Sequence, residues 1–382
     1  MKKEWFSRLF DVLMPVFATL AALAVGAVVL VFLGVNPFQA YGALLEGAFG
    51  SPNAMAETLV KATPLLLVGL GICIAFRGNV INIGGEGQMI IGAIFATILG
   101  LAFTGLPGWL MIPLAMLMGF VGGAFWGAIP GFLKAYFNVN EILSTIMMNA
   151  IAVQIMNFLL RGPMIDPAQL ELASKIPQTA RLLEAFRLPR LAPTRLHLGF
   201  LFAVILAFLV YIFLWKTTLG YRIRAVGQSH HAARYAGINV KKNIVLALLL
   251  SGAFAGLAGA IQVYGVNYRM ITDGSASGFT GSAGFNGIVA ALFGQLHPIG
   301  TIPASIFFGA LLVGANKMQR VMQVPSALIT TLNGLVVIFV VSSEYFQRRR
   351  QKQRISSTEN DSGEPPGNDM ERTSGVKVEA EV

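Results

Sequence analysis

The chain has 382 residues, of which 55% are hydrophobic and only 12% are charged, and its mean hydropathy is +0.67. Soluble globular proteins carry about 25% charged residues, so this composition excludes that class and indicates a polytopic membrane protein. The formal net charge of +10 comes without an aromatic and basic platform, which argues against nucleic acid as a partner and favours contact of the basic loops with the lipid bilayer.

About ten transmembrane helices are predicted, because roughly 20 apolar residues at 1.5 Å each cross a hydrocarbon core of about 30 Å. The candidate spans are residues 12–33, 62–76, 88–103, 109–133, 142–160, 197–215, 244–264, 285–296, 299–315 and 325–341. The first is longer than a signal-peptide core and no small-residue cleavage site closely follows it, so it is expected to be retained. The predicted fold is therefore all-α, with a transmembrane domain at residues 1–345 and a disordered cytoplasmic tail at residues 346–382.

The basic residues predict which loops face the cytoplasm. Lys2, Lys3 and Arg8 precede the first span, and residues 216–243 hold six basic and no acidic residues. With ten spans, both segments and the basic stretch at residues 348–354 fall on the cytoplasmic side, so both termini are expected there. The loop at residues 161–196 is an exception, because it is placed outside but carries six basic residues against three acidic ones.

Two of the spans are too short to cross the membrane alone, and each adjoins a polar, glycine-rich stretch. Residues 62–76 cover roughly 22 Å and run into residues 77–88, whereas residues 285–296 cover roughly 18 Å and follow residues 274–284. Unwound backbone is tolerated inside a membrane only where it lines a cavity or is covered by protein. Paired breaks of this kind mark the solute path in transporters built from repeats.

Polar side chains in and near the breaks are candidates for that path. An amide offers donors and an acceptor that can bind sugar hydroxyls and base edges, and a carboxylate inside the membrane must be paired or hydrated. The alternative role for these side chains is to cap helix ends beside tight turns. The candidate pathway residues are Asn79, Asn82, Glu86, Gln88, Asn149 and Asn286.

An internal repeat is visible at an offset of about 185 residues. Residues 123–149 parallel residues 309–333, with a Gly-Ala pair, a glycine, a valine, a threonine and an asparagine recurring in order. Under the ten-span topology the first copy ends outside and the second ends inside, which predicts an inverted repeat of broken helices. The alternative is a chance similarity between two glycine-rich apolar spans.

The basic loop at residues 216–243 has a distinctive centre. From Gly227 to Ile238 it is rich in small residues, and Gly237 closes the stretch. These residues predict a compact helical turn at the membrane surface that contacts another protein.

Several kinds of chemistry lack their parts in this sequence. It contains no Gly-Lys-Ser/Thr phosphate loop, and its Gly-Ser-Ala-Ser-Gly stretch does not have the spacing of a nucleophile elbow. Cys73 is a lone cysteine, and the neighbours His230 and His231 point about 100° apart on a helix, so no metal site is predicted. The chain is therefore expected to be neither an enzyme nor a holder of metal or cofactor.

Four motifs resemble the permease subunits of bacterial ABC importers for branched-chain amino acids, simple sugars and nucleosides. They are AVGQ…AARYAGI at 225–238, LSGAFAGLAGAIQ at 250–262, GNVINIGGEGQMIIGA at 78–93 and VNEILSTIMMNAIA at 139–152. Their order is the family's order, and the resemblance covers most of residues 62–343. The asparagine and Gly-Glu-Gly of the third motif are most similar to the nucleoside-type members, with simple-sugar members as the alternative.

The resemblance implies a multi-pass protein of the bacterial inner membrane in which spans 2–5 mirror spans 7–10. It also implies separate ATPase subunits that hydrolyse ATP, a second permease subunit that is identical or homologous, and an extracytoplasmic substrate-binding protein. Many relatives carry Asn-Pro near Ser229, so the resemblance does not define how the helix in the basic loop starts. The residues expected to couple to the ATPase, through turns, close packing or charge, are Gly227, Gln228, Ala232, Ala233, Arg234, Ala236 and Gly237.

A secondary transporter driven by ions is the rival class. It would carry an inverted repeat and broken spans equally well. Such a protein needs a relay of intramembrane carboxylates, and Glu86 is the only plausible one in this sequence.

Overall fold

The structure is a computed structural model that describes residues 20–32, 34–172, 175–191 and 193–323, with positions 17, 331, 334, 335, 338, 339 and 342. The predicted tail at residues 346–382, and all but five positions of the predicted span at residues 325–341, lie outside the described residues. Within these residues the backbone is mostly helical, and its β pairings are two isolated bridges, Gln178 with Ile271 and Arg190 with His197.

The described helices follow one another with short connections, apart from the segment between α6 and α8. In chain order they are α1 (Leu20–Phe32), α2 (Pro37–Phe49), α3 (Pro52–Arg77), α4 (Gly85–Ala102), α5 (Gly108–Phe137), α6 (Glu141–Arg161), α7 (Pro167–Leu170), α8 (Gly199–Lys216), α9 (Thr218–Gln228), α10 (His230–Tyr235), α11 (Val240–Ile261), α12 (Ala276–Thr280), α13 (Ala283–Phe293) and α14 (Pro298–Met322). A π-helical segment, Gln262–Asn267, extends α11.

Among the described residues, seven helices are long and apolar enough to cross a membrane, which confirms a multi-pass, mostly helical protein but not the number of ten spans. They are α3, α4, α5, α6, α8, α11 with its π-helical extension, and α14. Two further apolar helices, α1 and α13, are shorter. The predicted short span at residues 285–296 is therefore a short helix, α13, of 11 residues.

The prediction that residues 62–76 form a short span is wrong. They belong to α3, whose 26 residues reach roughly 39 Å and cross a bilayer without help. The helix starts ten residues earlier because Ser51 caps it, with its hydroxyl accepting from Ala54 N–H at 3.1 Å, and Pro52 occupies the first turn. Lys61, the residue before the predicted span, therefore lies inside the helix.

Glycines bring the central helices α4, α5 and α11 into close contact. A Cβ atom on Gly92 of α4 would lie 2.3 Å from Gly256 Cα of α11, and one on Gly123 of α5 would lie 2.2 Å from Gly252 O of α11. No side chain fits at these distances, so the backbones themselves pack against each other, as small residues allow in membranes. The buried centre of the bundle is formed by α3, α4 and α11.

The two ends of the bundle can be told apart by what packs on them. At one end, which we call the α9 end, α3 finishes and α11 begins, and Ile244 of α11 packs with Val80 and Val226. At the opposite end, residues 175–191 lie on the end of α11: Leu188 N–H donates to Tyr264 O at 2.9 Å. The bundle thus presents two different surfaces, about 28 helical residues apart along α11 and its extension.

Candidate functional site

Two helices begin next to each other in the interior of the bundle. A Cβ atom on Gly85, the first residue of α4, would lie 3.2 Å from Gly284 Cα in the first turn of α13 and 3.3 Å from Val68 Cγ1. Val68 precedes the end of α3 by nine residues, roughly 13 Å along the helix. The starts of α4 and α13 therefore meet well inside the protein, away from either end.

The two helices leave this point in opposite directions. α4 runs towards the end opposite α9, because Ala96 O accepts from Tyr264 Oη at 2.8 Å. The chain after α13 reaches the α9 end, where Leu296 O accepts from Arg77 Nη2 at 3.3 Å. Each helix N-terminus carries a partial positive charge, so two positive helix ends face one small volume.

Glu86 lies between these two helix starts. Its side chain is 1% exposed, and one carboxylate oxygen accepts from Phe285 N–H of α13 at 3.2 Å. The other accepts a short hydrogen bond from Thr280 Oγ1 of α12. The carboxylate therefore joins the start of α4 to α12 and α13, and it lies at the positive ends of α4 and α13.

Asn82 and Gln88 form a buried amide network at the start of α4. Asn82 Nδ2 donates to Gln88 Oε1 at 2.9 Å and to Ser251 Oγ of α11 at 2.8 Å, and Asn82 Oδ1 accepts from Gly84 N–H at 2.8 Å. Both amides are 1% exposed. The network fixes the extended stretch before α4 to α11, which corresponds to the capping alternative raised by the sequence.

Asn149 of α6 holds the same stretch from the other side. Its Oδ1 accepts from Gly87 N–H at 2.8 Å, and its Nδ2 donates to Ile83 O at 2.9 Å. Thr145, one turn earlier, accepts from Ile83 N–H at 3.3 Å. Side chains of α6 thus form hydrogen bonds with backbone groups before and in the first turn of α4, which lack helical partners.

The structure brings four of the six candidate pathway residues together, namely Asn82, Glu86, Gln88 and Asn149. Asn79 lies apart, exposed at the end of α3, where its φ of 55° and the bond from Val80 N–H to Ala75 O make it a left-handed helix cap. Asn286 is half-buried in the first turn of α13, and its amide makes no hydrogen bond to the described residues.

Sequence reasoning missed two members of this site. Ser251 is the only hydroxyl in the apolar run of α11, and that isolation is a signal that the span contains a polar contact. Thr280 lies within the glycine-rich stretch at residues 274–284, but its partner Glu86 is 194 residues away, so nothing local indicates the pair.

The basic loop forms two helices rather than one. Gly227 lies inside α9, and Ser229 ends that helix and caps α10 by accepting from Ala232 N–H at 3.2 Å. Ser229 thus supplies the helix start that the resemblance left undefined. Gly237, with φ of 76°, closes α10 as predicted.

Two expectations for the coupling residues need correction. Gly227 makes no turn; a Cβ atom there would lie 2.0 Å from Arg77 O, so its role is close contact with the end of α3. Ala233 is buried against Val226 and Leu248 of this chain and is unavailable to a partner. The surface-exposed members of the set are Gln228, Ala232, Arg234, Ala236 and Gly237.

A cationic and aromatic cluster surrounds Trp215 at the α9 end. The guanidinium groups of Arg77 of α3 and Arg224 of α9 lie 5.3 and 5.7 Å from its ring centre, and the His297 ring before α14 lies 5.1 Å away. Four helices, α3, α8, α9 and α14, therefore share one contact point beside the exposed α9 and α10 surface.

The described part of the chain has seven helices that are long and apolar enough to span a membrane, two helix starts that meet inside the bundle and a basic helix pair at one end, which are features of a membrane transport protein. Residues 54–341 match the family described as the permease component of the branched-chain amino acid transport system. The chain belongs to this family, as its motifs predicted.

Named relatives match along most of the chain. The guanosine ABC transporter permease NupP of Bacillus subtilis is 38% identical over 88% of this chain and 94% of its own length. The glucose ABC transporter permease TsgB13 of Haloferax volcanii is 35% identical over 88% of each chain, and the nucleoside ABC transporter permease NupB of Lactococcus lactis is 31% identical over 86% of this chain and 90% of its own. Each of these three organisms also contributes a second permease, at 28–32% identity. No solved structure matches the chain.

Proposed function

We propose that this permease translocates a nucleoside across the bacterial inner membrane as the transmembrane subunit of an ATP-driven importer. The observation that carries the proposal is the polar site at the paired helix starts, where the side chains of Asn82, Gln88 and Glu86 are buried close together. Amides and a carboxylate are the groups that bind ribose hydroxyls and base edges. A nucleoside is favoured over a sugar because NupP and NupB are named for guanosine and nucleosides.

Transport requires that these side chains exchange partners. In the described conformation Asn82 and Gln88 bond to each other, and Glu86 bonds to Thr280 and Phe285. A solute passing between the helix starts would replace these internal bonds with bonds to its own hydroxyls and ring nitrogens. Because a buried polar group without a partner costs about 1–3 kcal/mol, the site favours either closure or occupation by a polar solute.

The energy for this exchange comes from separate ATPase subunits, since the sequence has no phosphate loop of its own. They dock on the exposed face of α9 and α10. Movement of α9 reaches the site along a short path: Gly227 packs on Arg77 O, and residues 78–84 lead directly from there to Glu86. The α9 end is accordingly cytoplasmic, and the opposite end receives the solute from a binding protein.

A second permease subunit completes the pathway. Because three organisms each contribute two permeases that resemble this chain, the second subunit is a homologue rather than an identical copy. The transmembrane domain extends over residues 1–345, and its inverted repeat relates α3–α6 to α11, α13, α14 and the segment that follows. The opposite directions of α4 and α13 support this relation.

Uptake measurements test the substrate. The permease, its genomic partner permease, the ATPase and the binding protein are reconstituted in proteoliposomes, and uptake of labelled uridine, ribose and glucose is followed with ATP inside. We expect ATP-dependent uridine uptake that other nucleosides inhibit more strongly than free ribose does. Transport of ribose or glucose without any response to nucleosides would establish a sugar permease instead, the candidate that the likeness to TsgB13 favours.

A second uptake measurement, with an ion gradient and without ATP, distinguishes the importer from an ion-driven secondary transporter. If a proton or sodium gradient alone drives uptake in vesicles that hold only the permeases, the protein is a secondary transporter. Uptake that needs both the ATPase and ATP supports the importer.

A further inference from the structure

Five arginines line one cavity at the end of the bundle opposite α9. The cavity has a volume of about 530 Å³, and its lining includes Arg181, Arg187, Arg190, Arg195 and Arg269. Four of them come from the segment between α6 and α8, and the fifth follows the π-helical extension of α11. Gly278 of α12 also lines the cavity.

Tyr268 organises the centre of this cluster. Its φ of 58° turns the chain at the end of the π-helical segment, so that the ring lies 4.8 Å from the guanidinium of Arg187. Its hydroxyl accepts from Arg190 Nη2 at 3.4 Å. Two guanidinium groups therefore contact the same tyrosine side chain.

The acidic residues nearby do not neutralise the cluster. Glu184 pairs with Arg187 at 2.8 Å, and Glu57 lies 3.8 Å from Arg195. Asp273 lies against Gly278 in the cavity wall and remains charged, because the Ser275 backbone N–H and hydroxyl donate to its carboxylate and lower its pKa. These three acidic residues still leave the five arginines in excess. Within the described residues, Arg181, Arg190 and Arg269 have no carboxylate partner.

Membrane topology does not explain this positive charge. Basic residues favour cytoplasmic loops, and the external loop at residues 161–196 has six of them. All five basic residues that line the cavity are arginine and none is lysine. A guanidinium offers a planar fork that binds a carboxylate through two parallel hydrogen bonds, so a set of arginines fits a partner with several carboxylates.

We propose that this arginine cavity is the docking site for an acidic surface segment of the extracytoplasmic binding protein. This inference rests on the proposed function, which places the cavity on the side from which the solute arrives. The cavity is also connected to the transport site, because Gly278 in its wall lies two residues before Thr280, which donates to Glu86. An acidic segment bound among the arginines contacts α12. It therefore affects the hydrogen bond between Thr280 of α12 and Glu86 of α4.

The test measures binding of the fluorescently labelled binding protein to the complete importer in nanodiscs of neutral phosphatidylcholine. Arg181→Glu and Arg269→Glu are made singly and together; Arg181 is exposed, so its replacement leaves the fold intact. Lys175→Glu is the matched control, since this exposed lysine lies on the same loop and outside the cavity lining. Melting temperature and basal ATP hydrolysis are recorded for each variant.

We expect each arginine reversal to raise the Kd of the binding protein about ten-fold or more, to weaken its salt dependence and to reduce the ATP hydrolysis that it stimulates. Lys175→Glu should change the Kd by about two-fold at most. An unchanged Kd in the double variant overturns the docking site while stimulated hydrolysis in the wild type still supports the importer. Variants that lose activity only in vesicles with anionic lipid, at unchanged Kd, assign the cavity to a lipid headgroup instead. A wild-type complex that neither binds nor responds to the binding protein contradicts the proposed function itself.

Discussion

Glu86 is a buried carboxylate whose hydrogen-bond partners belong to the other half of the chain. Its two oxygens accept from Phe285 N–H and Thr280 Oγ1, so one side chain connects the start of α4 with α12 and α13. These hydrogen bonds contribute most to stability when water is excluded from the site, because a buried donor without an acceptor raises the free energy of the folded protein. Opening the space between the helix starts therefore requires a replacement acceptor, which a solute or water supplies.

Glu86→Gln should reduce uptake roughly ten-fold or more while the protein still folds. Glutamine removes the charge at the two helix starts and replaces one acceptor oxygen with an NH2 donor. The Thr280 hydroxyl can turn to Ala276 O, but an NH2 group that faces Phe285 N–H leaves that donor without an acceptor, at a cost of about 1–3 kcal/mol. Initial uptake rates and melting temperatures would be compared with those of Glu46→Gln. Glu46 pairs at the surface with Lys317 at 2.7 Å and should tolerate the change. Equal uptake by Glu86→Gln and wild type would remove Glu86 from the pathway.

Gly256→Val should destabilise the bundle strongly. A Cβ atom at Gly256 would lie 2.3 Å from Gly119 O and 2.6 Å from Gly123 Cα, so α5 and α11 must separate. Overpacking of this kind costs about 1–3 kcal/mol or more. Gly105→Val is the control, because its added atoms meet nothing within 4 Å. The readout is the melting temperature in detergent, and a drop of several degrees for Gly256→Val alone is expected. If Gly256→Val melts at the same temperature as Gly105→Val, α11 accommodates the larger side chain and the prediction is wrong.

The sequence predicted which residues gather at the site better than it predicted their bonds. Asn82, Glu86 and Gln88 share one short motif, so their proximity follows from local spacing. Ser251 and Thr280 were not predicted, because each joins the site through contacts more than 160 residues distant along the chain. Long-range partners of this kind leave no periodic signal in a single sequence.

At the scale of helices, α10 separates the residues that hold the permease together from those that remain available. Ala233 faces inward and packs with Val226 and Leu248, whereas Ala236 and the 94% exposed Tyr235 face outward. An exposed aromatic residue among small ones fits a partner surface. Substitutions of Ala233 therefore test the stability of the permease, whereas substitutions of Ala236 test its contact with a partner.

Ala236→Asp should abolish ATPase association and leave the permease stable, because the added carboxylate is solvated until the ATPase docks. Ala233→Asp should instead lower the melting temperature of the permease, because it buries a charge among apolar side chains. Co-purification of the ATPase and the melting temperature of the isolated permease distinguish the two effects. Normal ATPase binding by Ala236→Asp would show that α10 is not the docking helix.

Helix boundaries were the weakest part of the sequence prediction. A span was predicted to begin at residue 62, but the helix that contains it, α3, begins at Pro52 because Ser51 supplies a cap. The short helix α13 was found correctly, since the glycine-rich stretch before it and the left-handed Gln295 after it limit its length. Caps decide such boundaries, and their strength depends on geometry that composition does not contain.

The whole molecule has two chemically different ends, and their sidedness is testable with cysteine labelling. Gln228→Cys, in the exposed part of the α9 end, should react with an impermeant maleimide only in permeabilised cells. Lys175→Cys, at the opposite end, should react in intact cells. The natural Cys73 is 0% exposed and should give little background. Labelling of position 228 from outside would invert the topology and exclude ATPase docking at α9.

α4 and α13 run in opposite directions, as the proposed inverted repeat requires, but the site between their starts is not symmetric. Gly85 and Gly284 occupy corresponding helix starts, and each contacts the other. Glu86 follows the first, whereas Phe285 follows the second. A single carboxylate therefore serves both positive helix ends.

That carboxylate also imposes an order on biosynthesis. Glu86 leaves the ribosome 194 residues before Thr280 and 199 residues before Phe285. At about 5–20 residues per second, the wait is roughly 10–40 s, during which α4 has been made and its acid has none of its final donors. A lone carboxylate is costly in lipid, so Glu86 stays protonated, hydrated or inside the insertion machinery until the second half arrives. The start of α4 therefore reaches its final position in the membrane only after α13 has been synthesised. Insertion of α4 is completed after most of the chain has been translated.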